Sequence, residues 1–337
     1  MKDEIKVVQY GLGPIGAETA KIVLSKSKGG SLHLVGAIDI DSAKIGKDVG
    51  EILGLSKRTG IIVSGDTREV FGAVKPHVAL HTTTSFLEGV YPQLVACIEA
   101  GVHVVSSTEE LFFPFDRHPR ISQQLDDLAK KHNVVVLGTG VNPGFVMDLL
   151  PLVLTGVCTS VRTIRVERVV DASKRRLPLQ KKIGAGITLE EFEAKKKTGT
   201  FGHIGLRESL IFLADGLGWK LSRVEEELQP MIADREVVTP HLSVSQGRVS
   251  GIHHVVTGFV DSSEILSLDL KMYVGATDPH DAAVIDADPP IHLVIKPGVF
   301  GDSATVAALV NAIPLVMQAP PGLHTMKDLP PPRAFGV

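Results

Sequence analysis

Cysteine is nearly absent. Two thiols, Cys97 and Cys158, stand in a chain of 337 residues. Both lie in apolar stretches, LVACIEA and LTGVCTS, without a CxxC pair or any zinc-like spacing. A disulfide scaffold and a thiolate metal site are therefore excluded, and both thiols read as buried groups of a reducing, cytoplasmic protein. An excess of one charge is missing as well. Lys and Arg number 35 against 38 Asp and Glu, a net of −3, so no overall field draws the chain to nucleic acid or to an anionic membrane. Long hydrophobic runs are missing too: the most apolar stretch, residues 146–157, is broken by Asp148 and Pro151 well short of a membrane span. The opening MKDEIKVV has no apolar leader core, so neither export nor insertion is expected. Among the histidines no HExxH motif supports a metal. What is present, 44% hydrophobic residues with 5% aromatic, suits an ordinary globular chain of about two domains bound to a small partner.

Through the first 145 residues, short β-branched runs alternate with longer helical patterns, as βα units feeding a parallel sheet require. Strands are predicted at 5–10, 32–40, 61–64, 77–82, 103–106 and 134–138, with amphipathic helices such as 14–27 and 86–100 between them. These strands are almost wholly apolar, which implies cover on both faces. The pattern changes after Phe145. A helix is predicted at 146–157, followed by alternating segments at 161–170, 237–244, 253–260 and 265–273 that mark a second, mixed or antiparallel sheet. Its insertion, 172–219, contains a helix candidate at 206–217 and reads as a lid or a subunit contact. A last helix at 303–317 is ended by Pro320, Pro321 and Gly322. The fold class read from this order is α/β, a Rossmann-type domain joined to an α+β domain.

The strongest local signal is VVQYGLGPIGAETA, an apolar strand entering GxGxxG and then a helix. Gly11 permits the tight turn, Gly13 lets the main chain approach a pyrophosphate, and Gly16 lets helix pack on strand, while Leu12, Pro14 and Ile15 complete the cradle at the helix N-terminus. Asp39 ends the next strand, 23 positions beyond Gly16, where a carboxylate accepts from the adenosine ribose hydroxyls and favours NAD over NADP. Lys44 is placed to pair with a 2′-phosphate if Asp39 turns aside, and Asp41 reads as a turn or cap residue.

At the ends of the fourth and fifth strands, HTTTSF and VVSSTEELFFP stand where an open parallel sheet keeps its ligand cleft. Thr82, Thr83, Thr84 and Ser107 suit the nicotinamide ribose and carboxamide, although turn and cap roles fit each threonine equally. Glu109 and Glu110 are adjacent carboxylates before an apolar LFF. On an extended backbone one of them faces the substrate, and Glu109 is favoured; the alternative makes them solvated acids or caps. Asn142, before Pro143, offers a neutral amide to carboxamide or substrate, or else a cap for a helix starting at Pro143. Phe145 and Met147 are candidates for an apolar substrate wall, and His203, between Gly202 and Gly205, for a close ligand contact.

Taken together, these segments resemble the 2,4-diaminopentanoate dehydrogenases and the native amine dehydrogenases related to them. YGLGPIG, AIDID, STEEL, GTGVNPGF, GHIGLRES and PGLHTMKDLPPPR carry the likeness from one end of the chain to the other. The resemblance implies a dihydrodipicolinate-reductase-like arrangement: a Rossmann domain over 1–145, a substrate-binding and dimerising domain over 146–300, and a C-terminal helix and tail, 301–337, packing back on the first. It implies NAD(P)-dependent oxidative deamination of an amine to a carbonyl compound, reversible as reductive amination with ammonia, by a homodimer. It also places the catalytic glutamate in the EE segment, leaving Glu109 and Glu110 both open. A diamino acid substrate would need cations for its carboxylate, for which Arg168, Arg175, Arg176, Lys181 and Arg207 are available, whereas Phe112, Phe113, Phe145 and Met147 suit a simple amine. Dihydrodipicolinate reductase itself is disfavoured because its HHxxKxDxPSGT signature is absent, and homoserine dehydrogenase because it carries lysine where this chain has glutamate. From another class, a non-catalytic dinucleotide sensor would not need a carboxylate, an asparagine and a histidine at the nicotinamide.

Overall fold

A computed structural model describes residues 4–27 and 31–335. The chain divides into two units, residues 1–144 with 300–337, and residues 145–299.

In the first unit the β-branched runs form β1 (Ile5–Tyr10), β2 (Leu32–Ile38), β3 (Val63–Ser64), β4 (Val78–His81), β5 (His103–Ser106) and β6 (Val135–Gly138). With a final short strand, Gly322–His324, they make a seven-stranded, wholly parallel sheet in the order Gly322–His324, β6, β5, β4, β1, β2, β3. All residues of β4 and β6 are buried, as strands covered on both faces must be. The order reverses between β1 and β4, which opens a crevice at the carboxyl ends of those strands. Helix Gly301–Val316 packs on helix Pro14–Ser27 and on β5. One strand ends earlier and another begins later than its apolar run suggests. After Ile38 the chain turns because the Asp39 carboxylate accepts the Leu12 and Asp41 N–H groups. Ile62 makes an isolated bridge to Asp48 before β3 begins.

The second unit holds a mixed six-stranded sheet. Its strands are β7 (Ser160–Asp171), β8 (Arg223–Ile232), β11 (Val249–Val260), β12 (Ser263–Tyr273), β13 (His280–Asp288) and β14 (Ile291–Ile295); β9 (Val237–Val238) and β10 (Ser243–Val244) form a separate hairpin. The sheet order is β14, β13, β7, β12, β11, β8, with β7 and β12 parallel and the other neighbours antiparallel. Helix Leu206–Gly216 covers one face at β11 and β12, burying Ile252, His254, Val256, Leu266, Leu268 and Leu270.

Several sequence expectations change here. The single strand expected over 237–244 is interrupted by a turn, because the Thr239 hydroxyl accepts the His241 and Leu242 N–H groups around Pro240. The helix expected over 146–157 runs only from Leu149 to Leu154, since Asp148 caps Leu149 N–H at 2.6 Å, and the chain then tightens into a 3₁₀ turn, Thr155–Val157. No helix starts at Pro143, where the preceding peptide bond is cis. β8 and β14 escape the hydrophobic pattern because both are edge strands, and β8 carries Glu225, Glu226, Glu227 and Pro230, residues that suit an edge.

Candidate active site

The glycine turn after β1 has the form a phosphate cradle requires. Gly11 has φ +89°, and a Cβ there would stand 2.6 Å from the Thr82 carbonyl oxygen. At Gly16 a Cβ would lie 1.9 Å from Gly11 O and 2.5 Å from Thr82 Oγ1, so only glycine lets the helix approach this closely. Gly13 is different: no heavy atom of the described chain lies within 4 Å of its Cβ position, leaving space in front of the helix N-terminus. No acidic side chain occupies the first turn of Pro14–Ser27, so its partial positive charge is not offset there. These residues fit the pyrophosphate of a nicotinamide dinucleotide, with Leu12, Pro14 and Ile15 carrying the main chain around it.

Behind the turn stands a residue that the sequence reading passed over. Gln9 is fully buried in β1, and its Nε2 lies within hydrogen-bonding distance of Gly11 O (2.9 Å), Leu80 O (3.1 Å) and Thr82 Oγ1 (2.9 Å). Thr82 belongs to this set. It is buried and donates to Gly11 O at 2.9 Å, so its hydroxyl shapes the turn and is already engaged within the chain rather than offered to a nicotinamide ribose.

Asp39 is buried at the end of the β2 run. Its Oδ2 accepts Leu12 N–H at 2.7 Å and Lys44 Nζ at 3.1 Å, and its Oδ1 accepts Asp41 N–H at 2.9 Å. Burial alone would raise its pKa, but the Asp41 and Leu12 N–H groups and the Lys44 ammonium outweigh it and hold the carboxyl below its ordinary value. Asp39 thus braces the glycine turn. Lys44 also reaches Asp41 at 3.5 Å, and Asp41 accepts Ala43 N–H in the turn role expected of it.

At the carboxyl ends of β4 and β5, His81 organises a buried polar chain. Thr108 Oγ1 donates to Thr84 O at 2.9 Å and Ser106 Oγ donates to Thr108 Oγ1 at 3.0 Å. Ser106 Oγ also accepts Thr108 N–H at 3.1 Å and lies 2.8 Å from His81 Nδ1. His81 Nε2 faces Gln93 Oε1 at 2.7 Å and Thr83 Oγ1 at 3.1 Å. Burial pulls the His81 pKa down to about 4, against a small opposing effect of Gln93, so the ring is neutral. Above this chain Thr83 and Thr84 are exposed and Ser107 is half-buried, its N–H donating to His81 O.

The two adjacent glutamates part company. Residues 109–111 form a 3₁₀ turn, not the extended segment expected, and the turn sends the side chains into different surroundings. Glu110 is buried, its Oε2 accepting Leu87 N–H at 2.7 Å and lying 3.0 Å from His118 Nε2. Glu109 stays half-buried. Phe112 and Phe113, counted as possible pocket walls, are buried in the first unit. Asn142 is half-buried at the end of the β6 segment.

Phe145, Met147 and His203 belong to the second unit. Met147 is fully buried and Phe145 half-buried. His203 Nε2 is buried and has no hydrogen-bond partner among the described residues. Burial, reinforced by Lys182, His254 and Arg168, holds the His203 pKa well below its ordinary value, so this imidazole is neutral too. Of the cations considered for a carboxylate, Arg168 is committed elsewhere: it pairs with Asp281 and donates to Val299 O at 2.8 Å. Among the described residues no cluster of His, Cys, Asp and Glu could hold a metal, and no helix is long and apolar enough to cross a membrane.

Comparison with known proteins agrees along the whole length. The family described as 2,4-diaminopentanoate dehydrogenase C-terminal domain matches residues 145–336. The 2,4-diaminopentanoate dehydrogenase of Acetoanaerobium sticklandii is 33% identical over 99% of this chain and 95% of its own. An amine dehydrogenase of Streptomyces virginiae is 23% identical over 98% of both. The solved amine dehydrogenase from Mycobacterium smegmatis superposes with a TM-score of 0.87 at 26% identity, covering 98% of each chain. On these grounds the chain belongs to the 2,4-diaminopentanoate dehydrogenase family.

Proposed function

We infer that this chain is an NAD(P)-dependent oxidoreductase acting on CH–NH2 donors: it converts an amine and water to a carbonyl compound and ammonia, and in reverse performs reductive amination. The observation that carries the assignment of roles is the separation of the two glutamates. Glu110 is held inside by Leu87 N–H and His118, which leaves the half-buried Glu109 as the carboxylate for the substrate.

In this reading Gly11, Gly13 and Gly16, with Leu12, Pro14 and Ile15, hold the pyrophosphate, Asp39 the adenosine ribose, and Thr83, Thr84, Ser107 and Asn142 the nicotinamide half. Once bound, the nicotinamide supplies a two-electron acceptor for the hydrogen on the carbon bearing nitrogen. Glu109 takes a proton from the substrate ammonium and passes it to solvent, so that the nitrogen lone pair drives oxidation of that carbon. The carboxylate, ionised again, stabilises the substrate iminium, takes a proton from the water that attacks it, and returns that proton to the leaving ammonia. His203, neutral and with its Nε2 buried, is the proposed substrate contact of the second unit, with Phe145 supplying apolar surface. Asp39 favours NAD over NADP, because a 2′-phosphate beside it brings like charges together.

A diamino acid as substrate is the second reading, favoured by the 33% identity to the A. sticklandii enzyme. An initial-rate screen separates the readings: NAD(P)H formation is followed with simple amines, with 2,4-diaminopentanoate, and in reverse with carbonyl compounds plus ammonia. Tight cofactor binding without turnover of any of these would point to a sensor and overturn the enzymatic reading.

A homodimer is proposed through the face of the six-stranded sheet opposite helix Leu206–Gly216. That face carries a ladder of alternating charge, His253–Asp269–Lys271–Glu167–His280, and beyond it Asp278–Lys296. A groove of about 470 Å³ runs across it beside the exposed Val284 and Val294. A surface with both signs interleaved around apolar residues is complementary to a second copy of itself.

A further inference from the structure

The residue next to the proposed base is built into the protein as a clamp. The Glu110 N–H donates to Ser85 O at 3.2 Å, while its carboxylate accepts Leu87 N–H at 2.7 Å. One residue therefore ties the 109–111 turn to the 85–87 segment through main chain and side chain together. Leu87 opens the 13-residue helix Leu87–Glu99, whose cap residue Phe86 supplies no side-chain acceptor, so the Glu110 carboxylate stands in for the missing cap and meets the positive end of the helix. A buried carboxylate needs further donors, and His118, itself 12% exposed, gives one from Nε2 at 3.0 Å. From the other side the turn rests on Gly138 of β6, where a Cβ would stand 2.5 Å from the Leu111 carbonyl carbon.

We propose that Glu110 and His118 are a positioning pair that sets where the Glu109 carboxylate stands during proton transfer. This rests on Glu109 being the base. Neither residue of the pair touches the substrate; both act through the turn that carries Glu109. Proton transfer needs heavy atoms within hydrogen-bond reach, and a displacement of about 1 Å costs on the order of 100-fold in rate.

The test compares His118→Leu, which removes the donor, His118→Gln, which keeps an N–H near the position of Nε2, and Glu110→Gln, which removes the charge. For each, kcat, the KM for amine and the NADH affinity from fluorescence titration are measured, with Glu109→Gln alongside. The pair predicts that His118→Leu and Glu110→Gln lower kcat roughly 10- to 100-fold while amine KM and NADH affinity stay within about twofold, and that His118→Gln regains most of the rate. Wild-type kcat in both His118→Leu and Glu110→Gln overturns the proposal. So does a loss of NADH affinity parallel to kcat that His118→Gln fails to restore, since that marks a role in folding alone. Wild-type kcat in Glu109→Gln overturns the base assignment itself, and the pair's purpose with it, a result distinct from the other two.

Discussion

Lowering the pH from 7 to 5 should destabilise the protein through His81 by an amount the structure lets one work out. The ring is fully buried beneath the carboxyl ends of β4 and β5 and its pKa is pulled from 6.5 to about 4. A histidine with a depressed folded pKa binds its proton first in the unfolded chain. Its contribution is therefore fully present above pH 6.5, is lost as pH falls, and levels off below about 4. Across the whole window the linkage is worth roughly 3 kcal/mol, and between pH 7 and pH 5 about 2 kcal/mol. His103 and His203 shift in the same direction, so the wild-type loss should exceed that of His81 alone. The assay is urea unfolding followed by circular dichroism at both pH values for wild type and His81→Gln. Whatever the variant costs at pH 7, its loss between pH 7 and 5 should be smaller than that of wild type by about 2 kcal/mol. Equal losses in the two proteins would refute the claim that a neutral imidazole is locked into the Ser106–Thr108 hydroxyl chain.

Other perturbations test the remaining parts. Gly16→Ala forces a Cβ to within 1.9 Å of Gly11 O and should destabilise the protein by about 3 kcal/mol and weaken NADH binding, read by thermal melts and fluorescence titration. Asp39→Asn keeps an acceptor for Leu12 N–H while removing the charge, so the ratio of KM for NADP to KM for NAD should fall about tenfold; an unchanged ratio would leave Asp39 with only its bracing role. Gel filtration should give twice the 36.0 kDa chain mass, and Val284→Arg with Val294→Arg should shift the protein towards one copy.

Much of this molecule is legible in its sequence because the signals are local. Gly11, Gly13 and Gly16 lie within six residues, and their turn, the preceding strand and the following helix are read from neighbours alone. The parallel sheet is read from apolar runs covered on both faces. Some strands that escape are edge strands such as β8, where charge and Pro230 protect the rim and erase the apolar pattern; the interior strand β13 escapes too. The site is less legible for a different reason. Gln9 and His81 are single polar residues in apolar strands, and their roles depend on partners distant in sequence: Thr82 lies 73 residues from Gln9, and Ser106 lies 25 from His81. Period-two reasoning expects Glu109 and Glu110 to face different surroundings, but on an extended backbone that the chain does not adopt. The segment is a 3₁₀ turn, and what distinguishes the two is Leu87 and His118 gathering around Glu110. The spacing from Gly16 points to Asp39 as a ribose ligand, but not to its hold on Leu12 N–H, by which it braces the turn.

The assignment of Glu109 as the base for amine oxidation is tested most directly by a single comparison: the rate of NAD(P)H formation from a turned-over amine by wild type and by Glu109→Gln, each matched for NADH affinity by fluorescence titration. The account predicts that wild type oxidises the amine while Glu109→Gln binds NADH equally well and loses on the order of 100-fold or more in kcat. A Glu109→Gln enzyme that turns over at the wild-type rate would contradict it.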